Sequence, residues 1–165
     1  MNLHNVWHVG ANIDTDALAP GAYMKLSVAD MARHCLEHHY PGLAERIGPG
    51  DVIVAGENFG IGSSREQAVG VLVQLGVHAV IAPSFSGLYF RNAFNLGLLA
   101  IECARASEIP QGCRIAIDTS RACVRVYPVQ QSEFELPCRA IPEFLIQRAL
   151  KGGLMAQLEE RFLKA

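Results

Sequence analysis

Asp51-Val52-Ile53-Val54-Ala55-Gly56-Glu57-Asn58-Phe59-Gly60-Ile61-Gly62-Ser63-Ser64-Arg65-Glu66-Gln67-Ala68 is the stretch from which the rest of the chain can be read. Val52 to Ala55 is a short apolar, largely β-branched run, suited to a strand buried on both faces. Gly56, Gly60 and Gly62 then mark a loop whose backbone can take positive φ or approach a ligand closely. Ser63 with Glu66, or Ser64 with Gln67, fits a capping box and predicts a helix that starts here. Ala68, Val69, Val71, Leu72 and Leu75 continue it at roughly helical spacing until Gly76. A strand, a glycine loop and a helix N-terminus together present free N–H groups to an anion. Arg65 adds a guanidinium that can grip a carboxylate through two bonds, and the two hydroxyls can donate, accept or act as a base. The plainer alternative is a capped helix after a tight turn, with Arg65 solvated.

Three familiar glycine motifs are excluded. The dinucleotide pattern G-x-G-x-x-G fails because Arg65 stands at its third glycine, and no lysine between 51 and 68 completes a P-loop. The nucleophile elbow G-x-S-x-G fails because Glu66 occupies its last position.

Moving outward, Val6–Val9 reads as an opening strand, Val77–Ala82 as a second buried strand and Leu98–Ile101 as a third. A helix over Ser86–Asn95 separates the last two. Two successive strand–helix–strand units predict a parallel sheet with right-handed crossovers. A helix opens at Ser27 or Asp30 and runs to about His38, and residues 41–50 form a loop with one short helical turn. Residues 113–118 and 122–127 alternate as a hairpin does, and 134–136 adds a strand. Amphipathic helices follow over 142–150 and 154–163. The expected fold is α/β: a mostly parallel central sheet flanked by helices, plus a C-terminal hairpin and helices. One domain over 1–165 is expected, with a helical appendage at about 141–165.

Composition narrows the function classes. Half of the 165 residues are hydrophobic, 18% are charged and the net charge is −2, so no basic stripe favours nucleic acid or anionic membrane. The longest apolar runs are far too short to span a bilayer, and Met1 to Asn5 lacks the features of a signal peptide; the cytoplasm is the expected compartment. The five cysteines, at 35, 103, 113, 123 and 138, form no C-x-x-C, so neither a zinc ribbon nor an iron–sulfur ligand run is present, and reduced thiols are expected. His34 and His38 stand four apart, but Cys35 takes the place of the glutamate in H-E-x-x-H, which leaves solvated histidines as the reading.

The run from Gly56 through Gly60, Gly62, Ser63, Ser64, Arg65, Glu66 and Gln67 to Ala68 closely resembles the signature of the aconitase-type swivel domain. In a separate short chain it resembles the small subunits of isopropylmalate-dehydratase-type hydro-lyases. Asn12-Ile13-Asp14-Thr15-Asp16 agrees, as does the block from Ser84-Phe85-Ser86 through Phe90-Arg91-Asn92-Ala93 to Gly97-Leu98. The resemblance runs from about residue 8 to 103 and weakens beyond.

It implies a β/β/α swivel fold and a dehydration–rehydration of a small hydroxy-dicarboxylic acid, 2- and 3-isopropylmalate in leucine biosynthesis. Ser63 would be the base, as its alkoxide. Ser64 would hydrogen-bond substrate or carbanion, and Arg65 would clamp the carboxylate on which charge develops. Thr15 and Asp16 would line the floor and orient serine and substrate. Lys25 would contact the variable part of the substrate; Tyr23-Met24-Lys25-Leu26 departs from the Tyr-Leu-Arg-Thr frequent in isopropylmalate enzymes. The resemblance also implies a [4Fe–4S] cluster acting as Lewis acid. This chain has no cofactor of its own and no metal ligands for it, so a large aconitase-like subunit is the expected carrier. Arg91 is either a surface charge or a brace for the glycine loop. A homoaconitase, citramalate or dimethylmalate dehydratase type is the nearest alternative, and a non-catalytic carboxylate-binding module the more distant one.

A magnitude supports the half-enzyme reading. A helix N-terminus stabilises an anion by at most ~2 kcal/mol, which lowers a pKa by only about 1.5 units. That alone cannot make a serine hydroxyl a base near neutral pH.

Overall fold

The computed structural model describes residues 2–163. Four strands pair in parallel, in the order β1 (His4–His8), β2 (Val52–Val54), β3 (Ala79–Ala82) and β4 (Leu99–Glu102). Val6 faces Val52, Val52 faces Ala79, and Ala79 faces Leu99. Every residue of β2 and β3 is buried, as continuous apolar runs covered on both faces require. Helix α4 (Gln67–Gln74) carries the chain from β2 to β3, and α5 (Gly87–Asn95) carries it from β3 to β4.

The alternating segments also form a hairpin, β5 (Arg114–Asp118) with β6 (Cys123–Tyr127), followed by β7 (Phe134–Pro137). The hairpin is not an appendix to the sheet. β5 pairs antiparallel with β1, which produces one seven-stranded mixed sheet in the order β4-β3-β2-β1-β5-β6-β7. Its parallel half is the core. The two edges also meet: just past β7, Arg139 N donates to Glu102 O at the end of β4, 2.8 Å away. Helices α6 (Glu143–Leu150) and α7 (Leu154–Leu163) pack on α5 and on each other.

Two local expectations fail, each for a physical reason. α4 begins at Gln67 rather than at Ser63, and its N-cap residue Glu66 makes no side-chain cap. Gly62, at φ +104°, turns the chain away from helical geometry, so Ser63 and Ser64 remain in the loop. α2 (Val28–Ala32), capped by Ser27, stops six residues before His38. Leu36 there takes φ +61°, donates its N–H to Ala17 O at 2.8 Å and is 1% exposed; burial of this leucine outweighs helix continuation. The structure also adds a helix to the expected set, α1 (Thr15–Leu18), capped by Asp14, whose side chain accepts from Ala17 N at 2.7 Å. The short turn expected in 41–50 is α3 (Leu43–Arg46).

All five cysteines are free thiols, four of them buried. Among the described residues no helix is long and apolar enough to cross a membrane.

Candidate functional site

The glycine loop leaves β2 at its carboxyl end, the side on which open parallel sheets place their ligands. Two other segments meet it there. Gly60 N donates to Ile13 O at 2.7 Å and Thr15 N to Ile61 O at 2.8 Å, which ties residues 12–16 to the loop. Asn58 N donates to Ser84 Oγ at 2.9 Å, and Ser86 N donates to Phe59 O at 2.9 Å, which ties the start of α5 to it. Fully buried Phe59 pins the assembly, edge-on to Phe85 and Tyr89 with centroids 5.9 and 5.2 Å away. The backbone of Gly60 passes against the Tyr89 ring at φ +79°, where any Cβ would collide with it.

On this floor Ser63 Oγ lies 3.2 Å from Thr15 Oγ1. Thr15 is 3% exposed, and its hydroxyl is fixed by the backbone bond to Ile61 and by its place at the start of α1. Ser63 and Ser64 are exposed. Among the described residues Thr15 is the one hydrogen-bond partner of the Ser63 hydroxyl, and none of their carboxylates or imidazoles bonds to it.

Arg65 is held from behind. Its Nη1 donates to Asp16 Oδ1 and to Ala19 O, each at 3.0 Å. Asp16 Oδ1 also accepts from Gly21 N at 2.9 Å. These bonds, the Gly21 N–H first and Arg65 second, hold the Asp16 carboxyl below its ordinary pKa. With Nη1 occupied, Nη2 and Nε have no hydrogen bond among the described residues, and the side chain keeps 29% of its surface exposed. That free edge is the one a carboxylate would meet side-on. The turn over Gly21–Tyr23 runs against the guanidinium; a Cβ at Gly21 would lie 3.9 Å from Nη2.

The structure therefore brings Thr15 to Ser63 and Asp16 to Arg65. Asp16 braces the arginine and does not reach the serine. Lys25 is exposed and makes no ion pair among the described residues. Arg91 is exposed without a hydrogen bond among them, and the neighbouring Asn92 braces the loop instead, its Nδ2 donating to Ser64 O at 3.4 Å. Sequence reasoning overlooked Ala19 O, Gly21 N and the Asn12–Asn58 side-chain bond of 2.9 Å. Only the asparagine pair left a signal: both residues sit at positive φ (57° and 58°), where asparagine is favoured among side chains.

Other places do less. His34 bonds Glu37 at 2.7 Å and stacks on Tyr23, and among the described residues no three His, Cys, Asp or Glu side chains are grouped to hold a metal. A groove of about 880 Å³ bordered by Trp7, Tyr40, Arg46 and Asp51 lies away from Ser63. Its buried acid is fully engaged, with Asp51 accepting from Asn5, Trp7 and Gly48 at 2.7 to 3.0 Å. The serine–arginine surface is the better candidate despite its openness.

Residues 37–106 match the family model of the aconitase C-terminal domain. The 3-isopropylmalate dehydratase small subunit of Sulfurimonas denitrificans is 40% identical over 91% of this chain and 89% of its own. Small subunit 1 of Archaeoglobus fulgidus is 39% identical over 90% and 91%. A crystal structure of 3-isopropylmalate dehydratase from Methanocaldococcus jannaschii superposes with a TM-score of 0.87 at 34% identity, covering 98% of this chain and 95% of that one. The likeness thus extends past residue 103, through the antiparallel half of the sheet and into the terminal helices. This chain belongs to the family of 3-isopropylmalate dehydratase small subunits.

Proposed function

We propose that this chain supplies the proton-transfer and carboxylate-binding half of an isopropylmalate dehydratase site, completed by a large aconitase-like subunit. The observation that carries the reading is the pair of braced groups on one exposed floor: Ser63 on Thr15, and Arg65 on Asp16 and Ala19. Removing a proton α to a carboxylate places negative charge on that carboxylate. A guanidinium fixed before the substrate arrives stabilises the charge without reorganising. Ser63 Oγ is the base, and Thr15 Oγ1 donates a hydrogen bond to it as its charge forms. Ser64 is adjacent and exposed, available to bind substrate. Lys25 follows the Gly21–Tyr23 turn and faces the variable end of the substrate in this reading.

The site is half-built. α4 starts four residues after Ser63, so the serine lies outside the first turn, where the helix dipole acts most strongly. The remaining positive charge has to come from Arg65 and from another chain. Among the described residues no three His, Cys, Asp or Glu side chains are grouped to hold a metal; in this reading the large subunit would hold the [4Fe–4S] cluster, which would supply a Lewis acid. A non-catalytic carboxylate binder has no use for a serine seated on a buried threonine.

A substrate survey tests the reading. The chain is combined anaerobically with large subunits from the same cell and offered 3-isopropylmalate, homoaconitate, citramalate and dimethylmalate. The highest kcat/KM is expected for 3-isopropylmalate. Preference for another of these acids by at least tenfold would reassign the substrate, and binding of acids by the isolated chain without turnover in any mixture would favour the binding module.

A further inference from the structure

Glu102 and Arg139 belong to opposite edges of the sheet, yet their backbones are hydrogen-bonded, and a cysteine stands beside each. Cys103 directly follows β4 and Cys138 directly follows β7. The Cys103 thiol donates to Pro137 O at 3.7 Å, so its sulfur sits on the peptide unit that leads into Cys138. The Cys138 sulfur lies 3.6 Å from Leu136 O, and Cys138 N is fixed by a 2.8 Å bond to Ala122 O. The two thiols are near enough to shift one another's ionisation, Cys103 below and Cys138 above the ordinary thiol value. Cys103 is wholly buried, whereas Cys138 keeps part of its surface. None of the groups on the serine–arginine floor is involved.

We propose that Cys103 and Cys138 form a dithiol site for thiol–disulfide exchange, which low-molecular-weight disulfides oxidise to a cystine across the seam of the sheet. Cys138 is the entry thiol because it is the exposed one; Cys103 beside it, and then burial, push its pKa up, so this first step speeds as pH rises. Its sulfur attacks the disulfide RSSR, the S–S bond breaks, and the departing RS⁻ takes up the proton that Cys138 gave to water. A mixed disulfide Cys138–S–SR results. Cys103 then attacks the Cys138 sulfur and expels the second RS⁻, which is protonated in turn. The protein loses two hydrogens, and one RSSR becomes two RSH.

The roles fit the surroundings. The neighbouring Cys138, and after it the N–H of Arg105, draw the Cys103 thiol below its ordinary value against the opposing effect of burial, which favours the thiolate needed in the second step. A lowered pKa raises the fraction of thiolate, the species that attacks. Cys123, on the neighbouring strand β6, is instead pushed up by burial. The positions also suit a staple: the bond would join the two edges where one backbone hydrogen bond already does.

The test uses the full chain, treated with glutathione disulfide at neutral pH and then alkylated and analysed by intact mass and peptide mapping. Wild type is expected to lose two hydrogens, retain no glutathione and yield a linked peptide pair containing Cys103 and Cys138. Cys103→Ser is expected to stop at a glutathione adduct on Cys138, with Cys103→Ala as the substitute if the serine variant does not fold. Cys138→Ser should leave Cys103 unmodified. Wild type that keeps glutathione as the Cys103 variant does, or that joins Cys123 to Cys138, or that does not react at all, would overturn the proposal. The wild-type map alone decides it if both variants unfold.

Discussion

At the scale of the residue, the site rests on two short-range supports that nothing in local sequence spacing announces. Thr15 and Ser63 are 48 positions apart, and their 3.2 Å contact exists because Thr15 N is tied to Ile61 O. A net hydrogen bond is worth about 1 kcal/mol, or roughly a fivefold effect on a rate if it forms fully in the transition state. Thr15→Val keeps the shape and removes the donor. In the reconstituted enzyme it is expected to lower kcat about fivefold with KM nearly unchanged; an unaltered kcat would mean that the threonine only packs. Ser63, Ser64, Arg65, Thr15 and Asp16 were all legible as candidates through the motif that carries them. Their division of labour was not. Asp16 acts on Arg65 rather than on the serine, a fact set by the backbone path through Ala19 and Gly21. Backbone atoms carry no side-chain signature, so Ala19 O and Gly21 N could not be found from the sequence.

At the scale of the element, what was periodic was readable and what was tertiary was not. β2, β3 and β4 are short apolar runs, and α5, α6 and α7 repeat at helical spacing; each lies within a residue or two of its expected place. The serine capping box was misleading because Gly62, at φ +104°, delays the helix to Gln67. The long helix after Ser27 was misleading because burying Leu36 against Ala17 costs it the helical geometry. The hairpin was found, but its place beside β1 was not, since alternation fixes a strand's two faces and says nothing about its neighbour. The glycine loop is the element that tolerates least. Gly60→Ala adds a methyl against Tyr89 at a positive φ and is expected to cost roughly 2–4 kcal/mol. Urea denaturation of the isolated chain checks this, and a midpoint equal to wild type would show that the loop can move away from Tyr89.

At the scale of the whole molecule, a sheet that curls until β4 meets β7 carries an open, two-pronged surface at the carboxyl ends of its parallel strands. Nearly all the apolar surface of that parallel half is buried, so the scaffold is rigid where the site is placed. The surface itself is exposed. An exposed serine hydroxyl whose one partner among the described residues is Thr15, beside an arginine with an edge free of hydrogen bonds among them, fits half of a shared site. We therefore propose that Ser63 moves the proton, and that it does so only when a second subunit covers it. The most direct measurement is anaerobic dehydration of 3-isopropylmalate by the cluster-loaded large subunit mixed with wild-type chain or with Ser63→Ala, together with the thermal midpoint of each chain. Because Ser63 is exposed, its replacement should leave stability within about 0.5 kcal/mol. Turnover is expected to need both chains and to be lost with Ser63→Ala at an unchanged midpoint. Near wild-type turnover by the alanine variant would contradict it.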